Sequence, residues 1–520
     1  MTYQSKLISL LRWTLLLVAS AATLFVVVVT FRNWRADAAW QRVIVEHADR
    51  GDPLAYAAHE AAPVPANRNF FQTPLLVTVL AADDRTVWTK NTVDALRRPF
   101  PYSVGTGWWH SGRFLDLAAA QRDLEKAGAL APDARRTPAE AVLAALEPWR
   151  AALDELRRAA QMRLESRLDE LPNDENAHQN DQSFGRNLRR MSIMERYANA
   201  LGVRACAELA AGRVDEALAD TMALLRFLQG ISEWEQTGVP FGLLGSAVQP
   251  YWEGLQRHIW SEPQLAALQA EFARLRPLQA RVRILRRERA LTLRYIEEQP
   301  NRVAEVGVDW YDGIRQFFGN GWLNRAAMQQ NRIDLCRYYD AAVLAGIDTV
   351  ADRVAMDRST ASLRELEAQM RNAKFADDLP GRIPSVLSQS PHLSNQLVND
   401  LLGLRNIVMM EMPVRCLIAS CALERYRLIH GSYPERLAEV AVFLEGQTPR
   451  DPVDGEPLRY VRTSPDAYKL YSIGLNARDD GGTEYVPERP KKGAPAVHHR
   501  LTDVPPGDWV WPPLAANRSD

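Results

Sequence analysis

The 520-residue chain is poor in cysteine, and its few cysteines form no pattern. They are Cys206, Cys336, Cys416 and Cys421, with no C-x-x-C pair among them. That excludes a disulfide framework and a zinc signature, and leaves four thiols to be buried as small apolar groups. An excess of charge of one sign is also lacking: 63 Lys and Arg face 64 Asp and Glu, for a net charge of −1. No strong global field draws such a chain to nucleic acid, and no nucleic-acid partner is expected. Catalytic signatures are missing too. There is no H-E-x-x-H, no G-x-x-x-x-G-K-[ST] and no G-x-S-x-G, which weighs against an enzyme. A site assembled from distant residues leaves no such mark. An enzyme with a pocket between a helical body and residues 51–112 therefore stays as an alternative. No repeat recurs at a fixed spacing, so a solenoid is not supported.

What the chain does have is one long uncharged run. Trp13 to Phe31 reads WTLLLVASAATLFVVVVTF, long enough to cross a bilayer as a helix. Apolar sequence continues past the small residues at 19–22, so an uncleaved anchor behind a short 1–12 tail is expected rather than a signal peptide. Trp13, Trp34 and Trp40 suit interfacial belts. Lys6 and Arg12 stand on one side and Arg32, Arg35 and Arg42 on the other. The short tail favours an N-terminus inside, with the rest of the chain exported.

Beyond the anchor, residues 32–112 predict a juxtamembrane helix (32–50) and then an irregular segment rich in Pro, Gly and aromatics, including PYSVGTGWWHSG. Residues 113–380 predict a helical body, 381–490 a long helix with a small α+β module, and 491–520 a tail. Thr137-Pro138-Ala139-Glu140 is a helix start with Thr as N-cap and Pro in the first turn. The run from 188 to 230 predicts two helices around Ala211-Gly212-Arg213, similar to a hairpin of tetratricopeptide type but read in preference as an ordinary helical hairpin. A peptide docked on that hairpin (197–232) is a second alternative function. Further helices are expected over 262–298, 323–374 and 395–430, with Leu379–Pro384 as a boundary. Arg281, Arg283, Arg286, Arg287, Arg289 and Arg294 are expected on a solvated helix face with local ion pairs. Trp108 and Trp109 read as a packed aromatic plug, and His498-His499 lack a third ligand at metal spacing.

The C-terminal part is the most legible. A helix ending in RCLIASCALERYRLIHG stops at Gly431. Ser432-Tyr433-Pro434 turns the chain and a short helix covers 435–444. Asp454-Gly455 makes a turn, and LRYVR and YKLYSIG alternate as two strands. This order, helix, H-G-x-Y-P, short helix, DP-x-x-G-x-PLRY, YxLYSxG and a DD loop, resembles the type II secretion major pseudopilin over about 80 residues, 410–490. The resemblance implies a long helix packed on a small antiparallel sheet, and a calcium-binding loop after the YSxG strand. It departs from that family in place: the matching helix starts after Met412-Pro413, deep in the chain, and the N-terminal anchor lacks the family's cleavage site. The whole order also resembles bacterial membrane-anchored envelope proteins, which implies a bacterial inner membrane with the bulk of the chain periplasmic, and protein partners there.

Carried onto this sequence, the calcium loop falls on Asp479 and Asp480 as charged ligands, with Asn476 and Ser472 as neutral oxygens. Calcium takes six to eight oxygen ligands, and a cation would turn the repulsion of adjacent acids into attraction. The competing reading is a solvated acidic turn, since Asp and Gly are common turn residues. The expected protein is mainly α: a single transmembrane helix, a large helical body, and a small pseudopilin-like α+β module with an antiparallel hairpin. Its expected role is a non-enzymatic scaffold or partner-binding protein of the envelope, linked to a secretion apparatus.

Overall fold

The computed structural model describes residues 3–60, 62–81, 96, 110–133, 135–168, 182–232, 241–298, 320–355, 358, 361, 391–484 and 506–512. The structure is mainly helical, 67% helix and 7% strand. The helices are α1 (Tyr3–Asp49), α2 (Pro74–Ala81), α3 (Leu117–Lys126), α4 (Pro138–Ala145), α5 (Arg150–Met162), α6 (Gln182–Ala210), α7 (Val214–Ser232) and α8 (Phe241–Gln256). They continue with α9 (Glu262–Arg274), α10 (Pro277–Glu298), α11 (Asn320–Tyr338) and α12 (Pro391–His430). The strands are β1 (Ile347–Asp348), β2 (Arg353–Val354), β3 (Arg459–Ser464), β4 (Ala467–Ser472) and β5 (Trp509–Val510). The chain folds as two units, each built from separate stretches. One holds residues 1–61, 285–345 and 361–401; the other holds 62–284, 346–360 and 402–520.

In the first unit, α1 runs unbroken for 47 residues because nothing in Tyr3–Asp49 is glycine or proline. It is long and apolar enough to span a membrane, and only 6% of its apolar window is buried. Gly51 ends it with φ +70. The Asp52 amide donates to His47 O at 2.9 Å and the Gly51 amide to Ala48 O at 3.0 Å, the paired bonds of a Schellman turn. Past the apolar stretch one face turns inward. Asn33, Trp40 and His47 are buried, and Asp37 and Ile44 half-buried, a four-three spacing that presents one seam.

The partner of that seam is α11, which runs parallel to α1. Asn33 Nδ2 donates to Trp322 O at 2.7 Å, and the Ala326 amide donates to Asn33 Oδ1 at 3.0 Å. One turn on, Arg325 Nε and Gln329 Nε2 donate to Asp37 at 2.9 and 2.8 Å. The Arg332 guanidinium lies 5.4 Å from the Trp40 ring centre. Trp40 is thus seam, not membrane belt, and is 7% exposed. Polar side chains at seam positions fix register at some cost in stability.

The second unit carries one contiguous apolar core running from Phe70 to Trp511. The α6–α7 hairpin turns at Gly212, φ +76, again as a Schellman pair from Arg213 to Glu208 and from Gly212 to Leu209. Thr137 caps α4 in a full capping box with Glu140. A second apolar stretch, Asn406–His430 of α12, is also long enough to cross a membrane, but 83% of its window is buried. It is a core helix: Tyr251 Oη meets Ser420 Oγ at 2.9 Å, and Glu411 accepts from the Leu278 amide at 2.7 Å. A 3₁₀ helix follows over Leu437–Phe443. β3 pairs antiparallel with β4 (Arg459↔Tyr471, Tyr460↔Leu470), and β4 with β5 (Tyr471↔Val510).

Several expectations change. The helix expected over 323–374 ends at Tyr338, passes through a π-helical turn (Tyr339–Val343), and gives way to the antiparallel β1–β2 ladder. The Asp348 carboxylate, which accepts from the Val350 and Ala351 amides, sets that turn. The helix expected over 262–298 is two helices, broken before Pro277. Residues 74–81 form α2, a helix within the segment expected to be irregular. Pro413 does not open the C-terminal helix but lies inside α12. Arg289 and Arg281 are not on a solvated face; they are 0% and 5% exposed, and Asp52 and Asp340, the acids that hold Arg289, come from elsewhere in the chain. The string PYSVGTGWW, Leu379–Pro384 and His498-His499 lie outside the described residues.

Candidate functional site

The acidic loop after β4 is built by hydrogen bonds that send its two acids to different partners. Asp479 Oδ1 accepts from Tyr471 Oη at 3.2 Å and from the Gly481 amide at 3.0 Å, and its Oδ2 lies 3.6 Å from Arg459 Nε. Asp480 Oδ2 accepts from Asn476 Nδ2 at 2.8 Å and from the Gly507 amide at 3.1 Å. The C-terminal strand brings a third acid: Asp508 accepts from the amides of Asp480 and Gly482 at 3.2 and 2.6 Å. Gly481 and Gly482, at φ +70 and +74, let these amides turn toward the carboxylates. Amide dipoles, a phenol and a guanidinium thus offset the repulsion of adjacent acids.

Of the four residues read as ligands, Asn476 and Asp480 are brought into direct contact, and Asp479 faces the strand side of the loop. Ser472 turns inward. It is fully buried, and its hydroxyl donates to Asp451 Oδ1 at 3.0 Å. Asp451 also accepts from the Ile473 and Val453 amides at 2.9 Å each. Burial raises the Asp451 carboxyl above the usual range, against those amide bonds, which lower it.

A second constellation lies in the first unit. Among the described residues, one set of His, Cys, Asp and Glu brings three ligand atoms within 4.8 Å of one another: His47, Asp52 and Asp340. The Gly51 turn places Asp52 back against the helix it ends, and the π-helical turn places Asp340. His47 Nδ1 lies 3.5 Å from Asp52 Oδ2, and Nε2 lies 3.4 Å from Asp340 Oδ2. Arg289, wholly buried, bridges the other oxygens, at 2.7 Å to Asp52 Oδ1 and 3.2 Å to Asp340 Oδ1. Arg286 reaches Asp52 at 3.2 Å and Arg50 reaches Asp340 at 3.1 Å.

Burial alone would raise the Asp52 carboxyl. Hydrogen bonds from His47 and Arg289, with the charges of Arg289 and Arg286, outweigh it and hold the group well below the usual carboxylate range. Each carboxylate already has arginine partners, which a divalent ion would have to displace. The set is an ion-pair lock rather than a metal centre. Its sequence signal was the helix end Gly51-Asp52-Pro53, which aims an acid at a helix C-terminus. Its partners at 286–289 and 340 are too distant for any local pattern to show. No family model, curated protein or solved structure matches the chain.

Proposed function

We propose that this chain is a non-enzymatic, membrane-anchored scaffold or partner-binding protein of the bacterial envelope, its bulk periplasmic. The observation that carries the reading is α1: a helix whose first part is apolar and exposed on every side, and whose second part is fastened to folded protein by a polar seam. Exposed apolar surface of that length has a place in lipid and a heavy cost in water. The peptide-docking alternative has less support. The α6–α7 hairpin is packed by α4, α5, α8 and α9, and none of its described large apolar side chains is exposed. The test is fractionation: the full chain is expected to stay with membranes through an alkaline carbonate wash, and a Leu17→Arg, Val26→Arg variant to leave them. Release of the unmodified chain by carbonate overturns the reading.

The pseudopilin-like reading of the C-terminal module, and with it a link to a secretion apparatus, belongs to the same proposal. Its support is the helix, 3₁₀ turn and antiparallel hairpin in the expected order. The donors at the loop suit calcium in part: Asp479 and Asp480 carry charge, and Asn476 an oxygen, whereas Ser472 is committed to Asp451. Calcium is expected to raise the melting temperature, with chelator reversing it and Asp479→Ala abolishing the response. A melting temperature indifferent to both removes the ion from the proposal.

A further inference from the structure

We propose that the first turn of α11 lies in the lipid headgroup layer, so that the first unit stands directly on the membrane surface. The inference rests on reading α1 as an anchor, and its observation is the register of the α1–α11 seam. Partners across the seam are separated by 288 to 293 residues in sequence, at every level from Asn33 to Asp37. A parallel pair with so constant an offset places Asn320 and Gly321 level with residues 27 to 33 of α1. That is the last turn of the apolar stretch, which ends at Phe31. The docked helix therefore begins where the lipid-facing run stops, not at a distance from it.

The side chains at that level have the chemistry of the interface. Phe31 and Trp34 stack at 6.0 Å between ring centres and are 54% and 64% exposed. Arg32 and Arg35, both exposed, flank them; arginines there lay their stems along the hydrocarbon and their heads among phosphates. The opening turns of α11, Asn320-Gly321-Trp322-Leu323-Asn324, carry no charge. Its first charge, Arg325, is the residue that meets Asp37. At about 1.5 Å per residue, Asp37 lies ~9 Å beyond Phe31 and His47 ~24 Å beyond it. The uncharged turns thus fall within the headgroup layer, which is roughly 5–7 Å thick on each side of a bilayer. The ion pairs fall outside it.

The experiment uses the full chain in phospholipid nanodiscs, with a nitroxide at Leu17→Cys, Asn324→Cys or Arg337→Cys, the four native thiols being buried. Power saturation with oxygen and with a water-soluble nickel complex reads depth. Leu17 is expected in hydrocarbon, Asn324 at the headgroup boundary, and Arg337 in water about 20 Å further out. Equal aqueous exposure at 324 and 337, with Leu17 still in hydrocarbon, overturns this inference and leaves the anchor standing. Aqueous exposure at Leu17 overturns the anchor reading and this inference with it.

Discussion

A single buried guanidinium decides how the lock in the first unit behaves. Arg289 is completely enclosed and holds Asp52 and Asp340 at once. Removing one partner of such a pair leaves a charge that water cannot reach, which costs more than the pair itself contributes. Asp52→Asn should therefore lower stability by about 3 kcal/mol, read from the urea midpoint of the full chain in detergent micelles. Asp37 makes hydrogen bonds of similar length to Arg325, but that arginine is half exposed and the acid a third exposed. Asp37→Asn should cost less than about 1 kcal/mol. Equal effects would mean that burial at Arg289 does not govern the lock.

Elements respond to pH through the ion network that joins α5, α6 and α7. Arg157 holds Asp220 at 2.8 Å and Glu208 at 2.7 Å, and Arg204 holds Asp220 at 2.6 Å and Asp154 at 2.8 Å. Burial, then repulsion from Asp220, raises the Glu208 carboxyl to about 7, with Arg157 pulling the other way. A raised folded value means the fold favours the protonated acid. Its stabilising share is complete below the unfolded value near 4.3 and is lost as pH rises through about 7. Melting temperature should fall between about pH 4.5 and 7 in the parent and stay flatter in Glu208→Gln. Identical pH profiles would exclude this role.

Much at this scale was legible beforehand. The hairpin at Ala211-Gly212-Arg213, the capping box at Thr137 and the alternation of LRYVR against YKLYSIG each follow from local rules. Where the outcome turned on distant partners, the sequence was mute. Trp40 looks interfacial until Arg332 arrives over its ring. The arginines of α10 look solvated until Asp52 and Asp340 arrive. The run after Tyr338 keeps helical composition, yet a π-helical turn and a two-residue ladder replace the helix. At the acidic loop, Asp479 and Asp480 were visible; Asp508, which takes two of the loop's amides, lies beyond a stretch with no local signal.

For the molecule as a whole, the C-terminal module depends on the rest of its unit. Within that unit, Glu424 of α12 accepts from His258 at 2.9 Å and from Tyr433 at 2.7 Å. Gln269 bonds the carbonyl of Phe443 at 2.6 Å, and Trp252 bonds that of Pro512 at 2.9 Å. A fragment of residues 402–520 would expose the face of α12 that Tyr251 and Leu278 cover. It should give helical circular dichroism without a cooperative melt, whereas the full chain melts cooperatively. A sharp transition in the fragment would show a self-sufficient domain.

The unbroken course of α1 past Phe31 carries one more consequence, a matter of azimuth. With no glycine, proline or bulge between the apolar stretch and the seam, the two share a single helical phase. Each face of the apolar stretch is bound to one compass direction of the folded unit. A residue inserted between Phe31 and Asn33 would swing that direction by about 100°, whereas seven would return it almost to its starting bearing, ~10 Å higher. The apolar stretch is thus a keyed shaft rather than a tether.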